Sequence, residues 1–96
     1  MRSLFYMPTR VEKEVRRRTR LVIAAYQYEN HPNGETVMTD AEFDAECLKV
    51  DVTIKTPRPD LDKWWGSQFQ TCTGQWIHSY PEQDRISELY NNFYDT

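Results

Sequence analysis

The sequence predicts an all-α fold, a compact bundle of about four helices with room for one short extended segment. Three observations carry this expectation. Thr9 with Glu12 and Thr39 with Glu42 are two capping boxes: the hydroxyl accepts from the third helical N–H and the carboxylate reaches back to the cap residue's N–H. Ile86, Leu89, Tyr90 and Phe93 recur at i, i+3, i+4 and i+7, one face of a helix. The one alternating stretch, Val50-Asp51-Val52-Thr53-Ile54, has no evident partner strand and reads as an irregular or short helical continuation.

The elements follow in order. Met1 to Pro8 is apolar without a period and reads as a short extended lead-in. The first helix starts at Thr9 and runs to about Asn30, with Val11, Val15, Val22, Ala25 and Tyr26 as its apolar stripe and a gap at Thr19. Pro32 and Asn33-Gly34 mark a turn. The second helix spans about Asp40 to Lys49, with Ala41, Phe43, Ala45, Cys47 and Leu48 as apolar members. Thr56-Pro57-Arg58-Pro59 stops what precedes it, and a third helix follows from Asp60 to about Phe69, carrying Leu61, Trp64, Trp65 and Phe69. Gln70 to Ser79 reads as a loop bent at Gly74 with Trp76 and Ile77 tucked inward. The last helix starts at Pro81, a favoured first-turn residue.

Residues 1–96 make one domain, a helix–turn–helix half over about 9–49 and an aromatic-rich half over about 57–96. A chain this short buries about 60–65% of its unfolded surface. At 14% aromatic content, rings supply most of the core. The longest apolar run, Leu21 to Tyr26, is far too short to span a membrane, and it lacks the small-residue cleavage site of a signal peptide. The expectation is a cytoplasmic protein without membrane contact.

Cys47 and Cys72 lack CxxC spacing, and His31 and His78 lack finger spacing, so two reduced, buried thiols are expected and no metal. A Cys72/His78 nucleophile pair has nothing in the sequence to fix its geometry. Charge is segregated. Residues 1–30 carry seven Lys/Arg against three Glu, a net +4, and residues 31–96 carry five against twelve acids, a net −7. Arg10, Lys13, Arg17 and Arg20 recur along one face of the first helix. They are candidates for contact with phosphate or a nucleic-acid backbone, against the plain reading of a solvated helix face. Trp64-Trp65 could stack bases. Their helical spacing with Leu61 and Phe69 instead puts at least one ring in the core, the second packing under the Trp76 loop or standing exposed as a partner anchor.

The most informative stretch joins Ala25-Tyr26-Gln27-Tyr28 to Met38-Thr39-Asp40-Ala41-Glu42-Phe43-Asp44. Asp40 and Asp44 lie one helical turn apart on one face. The Asn33-Gly34 turn folds the tyrosines back toward them. Aromatic rings beside paired carboxylates suit a flat cationic ring. The plain alternative makes Asp40 a helix N-terminal acid, Asp44 a surface residue and Tyr26 a core ring with a wet hydroxyl.

This stretch, Tyr26 to Leu48, resembles the small N-terminal domain of NAD-dependent DNA ligases that grips the nicotinamide mononucleotide (NMN) half of NAD. That family shows a tyrosine pair, an acidic loop with a proline, then Ser/Thr-Asp-x-Glu-Tyr-Asp. Tyr26 and Gln27 align with the pair, Pro32 with the loop proline, and Asp40, Phe43 and Asp44 with the helix start. Tyr28 stands in for the second tyrosine from the next position. Phe43 lacks the family's hydroxyl, and the connecting loop is about four residues longer. The nucleophile motif Lys-x-Asp-Gly is absent; the nearest string is Lys49-Val50-Asp51-Val52. The second half, with Leu61-Asp62-Lys63-Trp64-Trp65, Thr73-Gly74-Gln75-Trp76-Ile77-His78 and Tyr80-Pro81-Glu82, resembles small stand-alone phage proteins described only as ligase-related.

The resemblance implies a non-catalytic, phage-type accessory protein, not a complete ligase, that recognises NMN or NAD. Tyr26, Tyr28, His31, Asp40, Phe43 and Asp44 would form the site, with Arg17 or Arg20 on the phosphate, in the host cytoplasm if phage-encoded. One alternative is an interaction factor or inhibitor acting on a host protein with the nucleotide site vestigial. The other is a DNA-associated accessory using the basic first helix, the weaker case for an acidic protein.

Overall fold

A computed structural model describes residues 9–34, 36–71 and 73–93. They form an all-α fold of four α-helices and one 3-10 helix: α1 (Arg10–Asn30), α2 (Asp40–Lys49), α3 (Pro59–Gln68), the 3-10 helix (Gln75–Ser79) and α4 (Gln83–Phe93). No strand occurs among the described residues, and Val50 to Ile54 forms a turn. The expected extended lead-in, Met1 to Pro8, lies outside the described residues.

Both capping boxes form. Thr9 Oγ1 accepts from Glu12 N at 3.1 Å and Thr39 Oγ1 from Glu42 N at 3.1 Å, with each glutamate reaching back to its cap residue. Pro59 opens α3 without a side-chain cap, as its missing N–H permits. The last helix begins at Gln83, two residues after the expected Pro81, because Pro81 and Glu82 lie in a turn. Gln83 Nε2 closes that turn by donating to Tyr80 O at 2.9 Å and Ile77 O at 2.5 Å.

Helix α1 runs through the middle, packed against α4, α2 and the 3-10 helix. Leu21 to Ala25 are therefore all buried, not only a stripe. The N-terminal half departs from expectation: Val11 is half-buried and Val15 is 38% exposed. A polar layer fills the space beneath instead. On α2, only Cys47 is buried and Phe43 half-buried; Ala41, Ala45 and Leu48 are exposed. Positions 43 and 47 are one turn apart and share the α2 face that packs on the hydrophobic core.

The rest of the core is aromatic. Trp64 and Trp65 are both buried, at right angles with centroids 5.1 Å apart. Adjacent helical residues diverge by about 100°, so each needs its own cover. Tyr80 caps Trp64 at 5.0 Å, Phe69 flanks Trp65 at 4.9 Å, and Trp76 meets both tryptophans at 5.7 and 5.5 Å. The 3-10 helix thus covers the second ring, and Trp64 Nε1 donates to Ser79 Oγ at 3.1 Å. Each buried ring of this size removes about 150–250 Å² from water, on the order of 4–6 kcal/mol.

Beneath the N-terminal half of α1 lies a buried ionic network. The Glu14 side chain has no exposed surface. Its Oε1 accepts from Arg17 at 2.7 Å and its Oε2 from Arg18 at 2.8 Å and Asp51 N at 3.1 Å. Arg18 continues to Asp62 at 3.0 Å, Asp51 O at 2.8 Å and Ile54 O at 3.3 Å, with its guanidinium 5.7 Å from the Trp65 ring centre. Thr56 donates twice to Asp62, from N at 2.8 Å and Oγ1 at 2.7 Å. Burial pushes the Asp62 pKa up, but the Thr56 bonds and the Arg18 charge outweigh it and hold it below 3.8. Removing one member leaves a buried charge unmatched, so Glu14→Ala should cost about 3–5 kcal/mol in urea unfolding. Arg16→Ala, two residues along α1 on its exposed side, should fall within about 0.5 kcal/mol of wild type.

Candidate functional site

The C-terminal half of α1 and the start of α2 enclose a cleft of about 340 Å³. From α1 come Ala25, Tyr28 and Glu29, at i, i+3 and i+4 on one face; from α2 come Asp40, Phe43 and Asp44 at the same spacing. Thr73, Gly74 and Gln75 close the third side. The Tyr28 ring is exposed, and its hydroxyl donates a short hydrogen bond to Asp40 Oδ1. Phe43 forms the floor, near-parallel to Trp76 with centroids 6.3 Å apart. Behind Tyr28 a second cleft of about 370 Å³ is lined by Gln27, Pro32, Thr36, Met38 and Thr39, and it shares Tyr28 and Asp40 with the first.

Four of the expected site residues, Tyr28, Asp40, Phe43 and Asp44, are thus brought together. Tyr26 and His31 are not. Tyr26 and Tyr28 stand two residues apart on one helix, about 200° around its axis, so they cannot face the same cleft. Tyr26 turns toward α4, donating to Ser87 Oγ at 3.0 Å and packing on Tyr90 at 5.7 Å. His31 ends α1 and stacks on Tyr90 at 4.7 Å. Gln27, aligned with the tyrosine pair, is buried and donates to His31 O at 2.8 Å.

The basic residues lie elsewhere. Arg17 is taken by Glu14 and Glu46, at 2.7 and 3.1 Å, and Arg10 by Asp51 at 2.9 Å. Lys13 and Arg20 are exposed. None of the four lines either cleft. The carboxylate-rich cleft holds Asp40, Asp44 and Glu29 and no lysine or arginine among its described lining residues, which favours positive charge. His78 Nε2 lies 3.3 Å from Glu29 Oε2. Cys47 is buried, and burial followed by the charges of Asp44 and Glu46 pushes its thiol up to about 11. Cys72 lies outside the described residues, as does the pairing of Cys72 with His78. Among the described residues no cluster of three His, Cys, Asp or Glu could hold a metal ion.

Two contributions escape a reading of the sequence around the tyrosines. Glu29 lies i+4 from Ala25, a position that the tyrosines themselves do not mark. Thr73 to Gln75 carry no local signal and arrive only because the chain returns past α1. No described helix is long and apolar enough to cross a membrane. The chain matches no family model, no curated protein and no solved structure.

The hydrogen bond to Asp40 raises the Tyr28 pKa above its ordinary 10.0, followed by the Asp40 charge, desolvation and the Asp44 charge. A raised folded pKa means this bond contributes fully below the unfolded value and is lost as pH climbs through the raised one. The tyrosinate absorbance titration of wild type minus Tyr28→Phe should therefore show a midpoint above 10.0, and Asp40→Asn should move it down.

Proposed function

We propose that the protein is a non-catalytic recognition module for a flat, cationic heteroaromatic ring, with the nicotinamide end of NMN or NAD as its ligand. The observation that supports this best is the Tyr28 ring tethered to Asp40 at the mouth of a cleft that also holds Asp44 and Glu29. A pyridinium in the cleft would lie against Tyr28, gaining about 0.5–2 kcal/mol from cation–π attraction, while the carboxylates balance its charge and accept its amide N–H. The cleft volume sits at the small end of ligand sites, room for the ring and not for a whole dinucleotide. The ribose would run over Tyr28 toward Thr36 and Thr39 in the second cleft, with the phosphate outside both.

The DNA-associated alternative has less support, since Arg10 and Arg17 already face carboxylates. The protein-interaction alternative rests on Leu48, 76% exposed at the end of α2, and Val52 nearby in sequence. A membrane-free, phage-type accessory role remains the wider setting proposed for the module.

Thermal unfolding with millimolar nicotinamide riboside, NMN, NAD and NADH tests the reading. A ligand at a hundredfold its Kd stabilises by about 2.7 kcal/mol, a melting shift of about 10–20 °C for a domain this size. The three ligands with a cationic ring should shift the midpoint, and NADH, with an uncharged ring, should not. Asp40→Asn with Asp44→Asn, and separately Tyr28→Ala, should remove the shift. Absence of any shift in the wild type would refute nicotinamide recognition and turn attention to the Leu48 surface.

A further inference from the structure

A third cavity lies away from both clefts. It lies at the other end of α1, about 450 Å³ in volume, between Val11, Val15 and Thr19 of α1, the Thr56–Arg58 turn, and Leu61 and Trp65 of α3. It shares no lining residue with either cleft described above. Its walls explain the displaced apolar stripe of α1. Val11 and Val15 do not join the core cluster; with Leu61, Trp65, Pro57 and Tyr80 they form a largely apolar hollow. An apolar hollow of this size with few polar groups is the usual form of a small-molecule site.

Its charged groups are unequal in availability. Arg18 and Asp62 belong to the buried network. Arg58 is held by Asp60 at 2.9 Å and Glu82 at 3.1 Å. Glu12 is committed to the cap at Thr9. Thr19 Oγ1 donates to Val15 O at 2.8 Å. Arg16, one turn beyond Glu12, has no hydrogen-bond or ion-pair partner among the described residues. The hollow therefore offers apolar walls and a single uncommitted cation at its edge.

We propose that this hollow is a second binding site, for a compact organic acid whose aromatic or branched apolar body packs on Val15, Leu61 and Trp65 while its anionic group meets Arg16. The charge favours an anion: Arg16 is the lining cation with no hydrogen-bond or ion-pair partner among the described residues. A neutral apolar ligand would gain the walls and leave that cation unused.

Two dyes with the same kind of body separate these contributions: anilinonaphthalene sulfonate, which carries the anion, and N-phenylnaphthylamine, which does not. Fluorescence titration of the full chain should give saturable one-to-one binding, tighter for the sulfonate. Arg16→Gln should weaken the sulfonate about fivefold, the scale of an exposed ion pair, and leave the amine unchanged. Val15→Asp, at a position already 38% exposed and so tolerant of a polar side chain, should weaken both dyes about tenfold or more by placing a charge in the apolar wall. Near-ultraviolet circular dichroism of both variants should match wild type, which separates site binding from dye uptake by a loosened core. Asp40→Asn with Asp44→Asn should leave dye binding intact. The proposal is overturned if Val15→Asp binds the dyes as wild type does, if Arg16→Gln leaves the sulfonate affinity unchanged, or if the Asp40/Asp44 variant loses the dyes.

Discussion

Glu14 is an ionisable side chain with no exposed surface in a protein of only 96 residues, and the architecture is arranged around matching it. Both of its oxygens are satisfied, by two arginines of its own helix and by the Asp51 N–H from the far side. Arg18 then spends its remaining donors on Asp62 and on the Asp51 and Ile54 carbonyls. One helix turn of α1 thereby ties down the connector after α2 and the start of α3, in addition to the apolar contacts of Val50 and Leu61 with the core. A buried charge is costly unless every partner is present, so the network accepts little displacement of any of these segments.

The aromatic layer extends that constraint to the other side of the molecule. Arg18 lies over Trp65, Trp65 meets Trp76, and Trp76 lies parallel to Phe43. This chain of contacts runs from the ionic network to the floor of the cleft beside Tyr28. Ring shapes are rigid, with few rotamers, so the floor is held by the core rather than by the loop that covers it. The cleft's acidic side depends on less: Asp40 and Asp44 follow from the Thr39 cap and the helix it starts.

The two candidate sites occupy opposite ends of α1, a helix about 30 Å long, and they are opposite in character. The C-terminal cleft presents carboxylates and one exposed ring, suited to a cation. The N-terminal hollow presents apolar walls and Arg16, which has no ion-pair partner among the described residues. The segregation of charge along the chain is thus expressed locally, at the two ends of one helix. Much of the remaining basic charge is consumed internally, since Arg10, Arg17 and Arg18 all face carboxylates from the acidic part of the chain.

By itself the sequence determined the local elements. Thr9 with Glu12 and Thr39 with Glu42 set where α1 and α2 begin, because a cap is satisfied within four residues and needs no distant partner. The α2 bounds, Asp40 and Lys49, and the juxtaposition of Asp40 with Asp44 followed from that same local chemistry. Even the separation of Tyr26 from Tyr28 was contained in helical geometry, though a sequence motif treats neighbours as equivalent. Tertiary structure alone decided what required a partner from elsewhere in the chain. It buried Glu14 and Arg18, because Asp51, Ile54 and Asp62 arrive from more than thirty residues away. It turned Val11 and Val15 outward into a hollow, and it brought Thr73 to Gln75 against Tyr28. Such contacts depend on how the helices cross, and no periodicity within one helix records that.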